Sequence, residues 1–518
     1  MQAKGTATFR SRGQQLLGHR LPNAATFVVE IKTAQAIRQC PNWLGMTTAK
    51  LSSPVVQTVA ERWLTRALLG MFVLVWLGAL ASRSLISPDE GRYASLSLDM
   101  LQSGDWITPR LNGLLYFEKP PLQCWVGAAS MWLLGVNEFS ARLWPGLSGL
   151  AAVFLLGLTA RRLWGPAAGM HALLIAGATT WIVANGHFLT LDSGLNAALT
   201  LVLCALLLAH HAGNSLVGRR WMLTAWAGVG LAVLSKGLVG ILIPGAVFAL
   251  HSVWRRDFSM WRRLQWVPGL AILLVIAAPW FILVSARNPD FASFFFVHEH
   301  LQRYLTPVHR REGAWWYFLP FVAVGFLPWT SSLPWVARAS RADFAQSFLL
   351  VWAAFVLVFF SLSSSKLPSY ILPMFPALAL LLAKRLDGVD AAVIQRHLWL
   401  PVIFWAAALL SLPVIAGSLG RDTPRSAVDS LLHGIAFGAI LFLAAAAAGW
   451  VLLRNGRVTA AIAVVACGHF GATLTLLGSH DAYGQLKSSD AMVRLLAPQI
   501  DGATPVFSVR TYDQTFPF

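Results

Sequence analysis

Apolar residues in this chain come in runs of about 20, one after another, separated by short stretches that collect nearly all the charge. A run of that length crosses a hydrocarbon core of ~30 Å as an α-helix. Inside lipid every backbone N–H and C=O needs an internal partner, and a helix supplies it within the segment itself. A membrane β-barrel would instead show alternating segments of about 10 residues, and the chain carries no such pattern. The runs predict spans near residues 66–84, 142–160, 166–187, 193–212, 222–235, 237–254, 267–286, 315–335, 346–362, 367–384, 398–417, 429–453 and 459–478. The expected fold is an all-α polytopic membrane protein of about 13 transmembrane helices.

Loop charge tests that topology. With the N-terminus inside, the inner loops hold Arg161 and Arg162; Arg219 and Arg220; Arg255, Arg256, Arg262 and Arg263; Arg338 and Arg341; Lys384, Arg385 and Arg396; Arg454 and Arg457. Every one of these loops is basic, as the positive-inside rule requires. Residues 121–136 are apolar enough to pass as a further span. Counting them would send the later arginine pairs outside, so they are read as a juxtamembrane helix within the first outer loop. The outer side then receives 85–141, 188–192, the turn around Lys236, 287–314, 363–366, 418–428 and the tail after 478. Two of these loops, 85–141 and 287–314, are long, and long structured loops are where function concentrates.

Composition agrees. Only 12% of the 518 residues are charged, where a soluble domain carries about 25%. The 23 Trp and 30 Phe suit two aromatic interface belts. A net charge of +18 would suggest nucleic acid in a soluble protein. Here the basic loops account for it, and nucleic-acid binding is excluded. The four cysteines, Cys40, Cys124, Cys204 and Cys467, are far apart and show neither a disulfide framework nor a zinc-cysteine spacing. No Walker-type Gly-x-x-x-x-Gly-Lys-[Ser/Thr] stretch occurs, which disfavours ATP-driven transport.

The chain thus reads as three regions. Residues 1–65 are basic, with Lys4, Arg10, Arg12, Arg20, Lys32, Arg38, Lys50 and Arg62, and lack the apolar core of a secretory signal. They read as a cytoplasmic extension or, the preferred reading, as the product of a start placed too early, with Met46 as the true one. Residues 66–478 form the transmembrane domain, and 479–518 an outer tail.

The outer side also gathers the residues suited to chemistry. The first long loop opens Ser87-Pro88-Asp89-Glu90-Gly91-Arg92-Tyr93-Ala94 and closes Tyr116-Phe117-Glu118-Lys119-Pro120-Pro121. Asp192 is the only charged residue between Arg162 and Arg219. A carboxylate at a membrane boundary is costly to desolvate, which marks it as a site candidate. Lys236 stands in the turn Ser235-Lys236-Gly237, where a lysine is also free to snorkel. The second long loop holds His298-Glu299-His300-Leu301-Gln302-Arg303, and a later one Lys366-Leu367-Pro368-Ser369-Tyr370. The HxH spacing is a weak zinc signal. Arg303 offers a planar fork suited to phosphate. One face thus collects Asp89, Glu118 and Asp192 with Arg92, Lys119, Lys236, Arg303 and Lys366. Carboxylates beside cations suit transfer of a group from a phosphate leaving group. The cations stabilise the departing charge, and a carboxylate takes a proton from the acceptor hydroxyl or orients it.

These stretches resemble the motifs of bacterial C-type membrane glycosyltransferases. Asp89-Glu90-Gly91-Arg92-Tyr93-Ala94 is similar to their DExRYA motif, and Tyr116 to Leu122 with Trp125 to their second loop motif. The likeness continues in order through Asp192, Ser235-Lys236-Gly237, Glu299 to Arg303 and Lys366 to Tyr370, covering about residues 66–518. The branch it resembles is the lipid A aminoarabinose transferase group, related to protein O-mannosyltransferases. The resemblance implies the GT-C fold, an inner-membrane location, a periplasmic active site and an undecaprenyl-phosphate-linked sugar donor. It implies Asp89 as the carboxylate that activates the acceptor and Asp192 as a second acid. Arg92, Lys119, Lys236 and Arg303 would contact the donor phosphate. Tyr116, Tyr370, Glu90 and Lys366 would line the cavity. Glu118 and His298 match positions that can hold zinc, although the charge balance needs no metal. Two features depart from the family pattern: Cys124 stands where an aromatic residue is common, and the end of the chain resembles only the opening of a soluble periplasmic domain. The expected function is transfer of a sugar, 4-amino-4-deoxy-L-arabinose in that branch, to lipid A or a related periplasmic acceptor. Protein O-glycosylation is the second enzymatic reading. A lipid-linked sugar flippase is the non-enzymatic one, disfavoured because ionisable residues sit at the boundary rather than at the midplane.

Overall fold

The computed structural model describes residues 59–302, 313–419, 423–501, 504, 506–507 and 512–518. Of the basic extension 1–65, residues 1–58 therefore lie outside the described residues. The chain divides into two compact units, 1–67 and 68–518. Among the described residues, the elements are helical apart from a two-stranded antiparallel hairpin pairing Arg110 with Leu115 and Leu111 with Leu114.

In chain order the helices are α1 (Val59–Gly78), α2 (Asp89–Ser103), α3 (Leu122–Leu134), α4 (Glu138–Trp164), α5 (Pro166–Ala178), α6 (Thr180–His187), α7 (Leu191–His211), α8 (Leu216–Lys236) and α9 (Val239–Arg255). Next come α10 (Trp266–Arg287), a π-helical stretch Ser293–Gln302, α11 (Phe318–Gly325), α12 (Leu333–Val336), α13 (Phe344–Leu362), a 3₁₀ stretch Pro368–Met374, and α14 (Phe375–Arg385). The chain closes with α15 (Ala391–Leu410), α16 (Leu412–Ser418), α17 (Arg425–Arg454), α18 (Val458–Ser479), α19 (Asp481–Gly484) and α20 (Asp490–Leu496).

Each predicted span falls on helical structure. Among the described residues, 7 helices are long and apolar enough to cross a membrane unaided, and 9 if two bent pairs count as spans. The bends are 58° between α5 and α6, and 113° between α11 and the turn leading into α12. The remaining predicted spans, on α1, α8, α9 and α14, are helices that do not reach that measure. The count of 13 is thus an expectation, while the all-α polytopic fold is established. Residues 121–136 form α3, whose 13 residues rise only about 20 Å. That falls short of a hydrocarbon core of ~30 Å.

Burial separates interior helices from lipid-facing ones. The apolar window of α7 is 89% buried, against 22% for α10 and for α15. On α10 the side chains of Val267, Val275 and Ile282 stand exposed, as befits a surface solvated by acyl chains.

Arginines close one end of the bundle. Arg255 donates to the carbonyls of Arg341 and Ala342, at 3.2 and 2.7 Å. Arg263 donates to Ala209 at 2.8 Å and to Gly213, and Arg385 to Arg338. Cations on the last carbonyls of helices are favoured by the helix dipole. At the other end the first long loop locks onto the end of α10 and the start of the second long loop. Trp280 Nε1 donates to the Ile107 carbonyl at 2.9 Å, and Asn288 Nδ2 to Thr108 Oγ1 at 3.1 Å.

Candidate functional site

The site is assembled at this second end from helix termini. Asp192 lies in the first turn of α7 and Lys236 in the last turn of α8. Each charge suits its end of the helix dipole. The two helices are antiparallel neighbours, so these ends meet. Lys236 Nζ donates to Asp192 Oδ1, and Ser369 Oγ donates to Asp192 Oδ2 at 2.7 Å. The Lys236 ammonium lies 4.6 Å from the Tyr370 ring centroid, a cation–π distance. Gly237, at φ +80°, ends α8 beside the ammonium. The segment bearing Ser369 and Tyr370 is held by α6, where Trp181 Nε1 donates to the Pro368 carbonyl at 3.2 Å.

Asp89 begins α2, with its carboxylate again at a helix N-terminus. It pairs with Arg92 at 3.5 Å, and its side chain is 50% exposed. Burial works against the Arg92 charge, but Tyr116, Tyr93, Asp89 and Glu118 outweigh it and raise its pKa above the usual value. Tyr116 OH donates to Glu118 Oε2 at 3.3 Å. Burial first, and the Glu118 charge second, push the Tyr116 phenol above its ordinary range, so it stays a donor. Lys119 Nζ donates to the Glu118 carbonyl at 2.6 Å and to Glu299 Oε2 at 3.0 Å, which ties the first long loop to the second. Lys366 is buried and donates to the Ser363 carbonyl at 2.8 Å.

Glu90 does not line a cavity as expected. It is 2% exposed and enclosed by two arginines. Arg142 Nε and Nη2 grip its two oxygens at 2.7 and 2.8 Å, and Arg83 Nη2 stands at 3.3 Å. The backbone N–H groups of Leu189 and Ile86 donate to the same carboxylate at 3.0 and 3.2 Å. Arg142 spends its remaining donors on the carbonyls of Leu80, Arg83 and Ser84. Burial opposes the Glu90 charge, yet Arg142, Arg83 and the Leu189 amide outweigh it and hold the pKa at about 2. The bond to Leu189 matters for function, because Leu189 precedes Asp192 by three residues. Glu90 therefore fixes the helix bearing Asp89 against the helix bearing Asp192.

Other expected residues are placed less closely. Arg303, expected at the donor phosphate, lies outside the described residues. Glu118 accepts from Tyr116, while His298 Nδ1 lies 3.7 Å from Glu299. Among the described residues no group of three or more His, Cys, Asp or Glu side chains is close enough to share a metal ion. Arg83 and Arg142 are not among the expected site residues, and Glu299 and Ser369 stand within the quoted motifs with no role of their own. The first two carried a usable signal, since they are arginines at the ends of the predicted spans 66–84 and 142–160, next to the loop that holds Asp89.

Known proteins resemble this chain along most of its length. A family profile described as dolichyl-phosphate-mannose-protein mannosyltransferase matches residues 118–283. The undecaprenyl phosphate-α-4-amino-4-deoxy-L-arabinose arabinosyl transferase 2 of Pseudomonas fluorescens is 32% identical over 403 residues, covering 76% of this chain and 71% of the relative. The corresponding transferase of Pseudomonas aeruginosa PAO1 is 37% identical over 329 residues, covering 62% and 59%. The chain thus spans about two thirds of the length of these curated relatives. The crystal structure of ArnT from Cupriavidus metallidurans bound to undecaprenyl phosphate superposes with a TM-score of 0.84 at 38% identity, covering 88% of this chain and 84% of that one.

Proposed function

The chain belongs to the family of undecaprenyl phosphate-α-4-amino-4-deoxy-L-arabinose arabinosyl transferases, and from that membership we propose that it moves this aminosugar from an undecaprenyl-phosphate donor to lipid A. The observation that carries the reading is the juxtaposition of Asp192, Lys236, Ser369 and Tyr370, which sets a cation and a carboxylate side by side at one end of the bundle. It is supported by the relatives' named activity and by the likeness to a structure that holds undecaprenyl phosphate.

In this reading the protein sits in the inner membrane with its N-terminus in the cytoplasm, so that the site faces the periplasm. Lys236, Arg92, Lys119 and Arg303 bind the donor phosphate. The bond between the sugar's anomeric carbon and the phosphate oxygen breaks, and its electron pair leaves with undecaprenyl phosphate. Those cations stabilise that charge as it develops. Asp89 orients the acceptor oxygen, or takes its proton, as the new bond to the anomeric carbon forms. A metal is not required by this balance of charge.

Mass spectrometry of lipid A from cells with and without the gene tests the reading. The aminoarabinose adduct, about 131 Da heavier per site from the formula of the sugar residue, is expected only with the gene if the sugar leaves its phosphate for lipid A. An unchanged lipid A, with a glycosylated envelope protein lost instead, would move the acceptor to protein. Translocation of the donor in reconstituted vesicles without transfer would move the protein to the flippase class.

Lys236→Ala gives a narrower test. A charge-assisted hydrogen bond contributes about 1.5–3 kcal/mol, so donor KM should rise roughly tenfold to a hundredfold. The acceptor KM should stay near wild type. Equal loss for both substrates would mean that Lys236 only holds Asp192.

A further inference from the structure

The helix that carries Asp89 is gripped from behind by a segment far away in sequence. Gly91 and Ser95 share one stripe of α2, four residues apart. At about 100° per residue, that stripe lies roughly opposite Asp89. Residues 514 and 515 run along it. Ser95 Oγ donates to the Gln514 carbonyl at 2.9 Å. Just before the helix, Ser87 Oγ donates to Gln514 Oε1, also at 2.9 Å. Between them the approach is closer than any side chain would allow. A Cβ on Gly91 would stand 2.5 Å from both the Gln514 carbonyl carbon and the Thr515 amide nitrogen.

The segment is itself anchored. Thr515 Oγ1 accepts from the Ser489 amide at 2.7 Å. Phe518 packs against the buried cluster that contains Tyr93, Leu96 and Tyr116. Residues 481 and 487 add two more ties to the approach of α2. Ser87 N–H donates to the Lys487 carbonyl, and Ser84 N–H to Asp481 Oδ1, both at 2.8 Å.

We propose that Gln514 and Thr515 are positioning residues for the transfer reaction. Their segment clamps the back of α2 and so fixes where Asp89 points. Glycine at position 91 is what admits the clamp. The inference rests on Asp89 as the reacting carboxylate, but the clamp itself is testable without any substrate.

Two full-length variants decide it. Gly91→Ala drives a methyl group into the Gln514–Thr515 backbone. The double variant Ser95→Ala with Gln514→Ala removes two of the hydrogen bonds with no added bulk. Hydrogen exchange over residues 89–103 is expected to quicken about tenfold in Gly91→Ala and less in the double variant. Misplacing a reacting group by a fraction of an ångström lowers kcat, here by about tenfold, and leaves donor KM within about twofold. A general loss of fold would instead move KM, kcat and exchange throughout the chain together. Wild-type exchange in the folded double variant would overturn the clamp. Faster exchange with unchanged kcat would overturn the positioning role. If Gly91→Ala does not fold, the double variant decides alone. Retained turnover in Asp89→Asn would remove the reading of Asp89, while the exchange result stands or falls by itself.

Discussion

Asp89→Asn should lower turnover by about 10²–10⁴-fold, the range that a positioned general base contributes, with donor KM close to wild type. Two carboxylates compete for the role, and their surroundings differ. Asp192 has both oxygens committed, one to Lys236 and one to Ser369, and is 8% exposed. A proton or an acceptor would first have to displace one of those partners. Among the described residues Asp89 has one partner, Arg92, at 3.5 Å, and half of its side chain is open. Its second oxygen can meet an incoming acceptor directly. Asparagine keeps the size of the side chain and an acceptor at the helix N-terminus, so α2 should form as before. What disappears is the negative charge and the basicity. Asp192→Asn is the informative contrast. Removing its charge leaves Lys236 without its carboxylate, so donor KM should move more than kcat does. The check is an in vitro transfer assay with purified variants, separating kcat from both KM values. If Asp89→Asn keeps wild-type turnover while Asp192→Asn loses it, the two roles exchange.

Much of this arrangement was legible in the sequence, for reasons that can be named. Apolar runs of spanning length leave little choice of secondary structure in lipid. Loop charge then sorts the segments, and it is the reason for reading α3 as a juxtamembrane helix. The charged motif residues stand out as site candidates because charge at a membrane boundary is expensive.

The fine assignment was not legible. Asp89 and Glu90 are adjacent, and both looked like site residues. On a helix, neighbours are turned about 100° from each other, which leaves Asp89 half exposed and sends Glu90 into the Arg83–Arg142 clamp. The same happened at His298-Glu299. The histidine spacing drew notice, while the intervening glutamate is the one that reaches Lys119. The bend between α5 and α6 has no proline to announce it. It comes at Thr179, whose extended backbone separates the two helices. The clamp by residues 514 and 515 joins positions more than 400 apart, and no local pattern encodes such a contact. Only the small side chains facing it, at 87, 91 and 95, leave a trace.

The clamp around Glu90 also sets the second large effect. Glu90→Gln should destabilise the folded protein by about 3–5 kcal/mol, the range seen when one member of a buried ion pair is removed. The cost arises because Arg142 is 0% and Arg83 4% exposed. Once the carboxylate is gone, two guanidinium charges remain buried beside one neutral amide. The exposed pair Arg287–Asp105, at 3.2 Å, is the internal control. Asp105→Asn should cost no more than about 1 kcal/mol. Thermal unfolding in one detergent, or resistance to proteolysis, would compare the two. Acid should mimic the glutamine. In the fold Glu90 is held at about 2, below its ordinary 4.5. Its contribution is therefore fully present above pH 4.5 and is lost as pH falls from there toward 2. The glutamine variant has no such group to titrate, so the stability gap between it and the native protein should narrow over that same window. A gap that stays constant down to pH 2 would show that the carboxylate's charge is not what the two arginines require. Because Glu90 also binds the Leu189 amide, the surviving folded fraction of Glu90→Gln should transfer sugar more slowly than native protein. Asp89 and Asp192 would then no longer be held at a fixed separation.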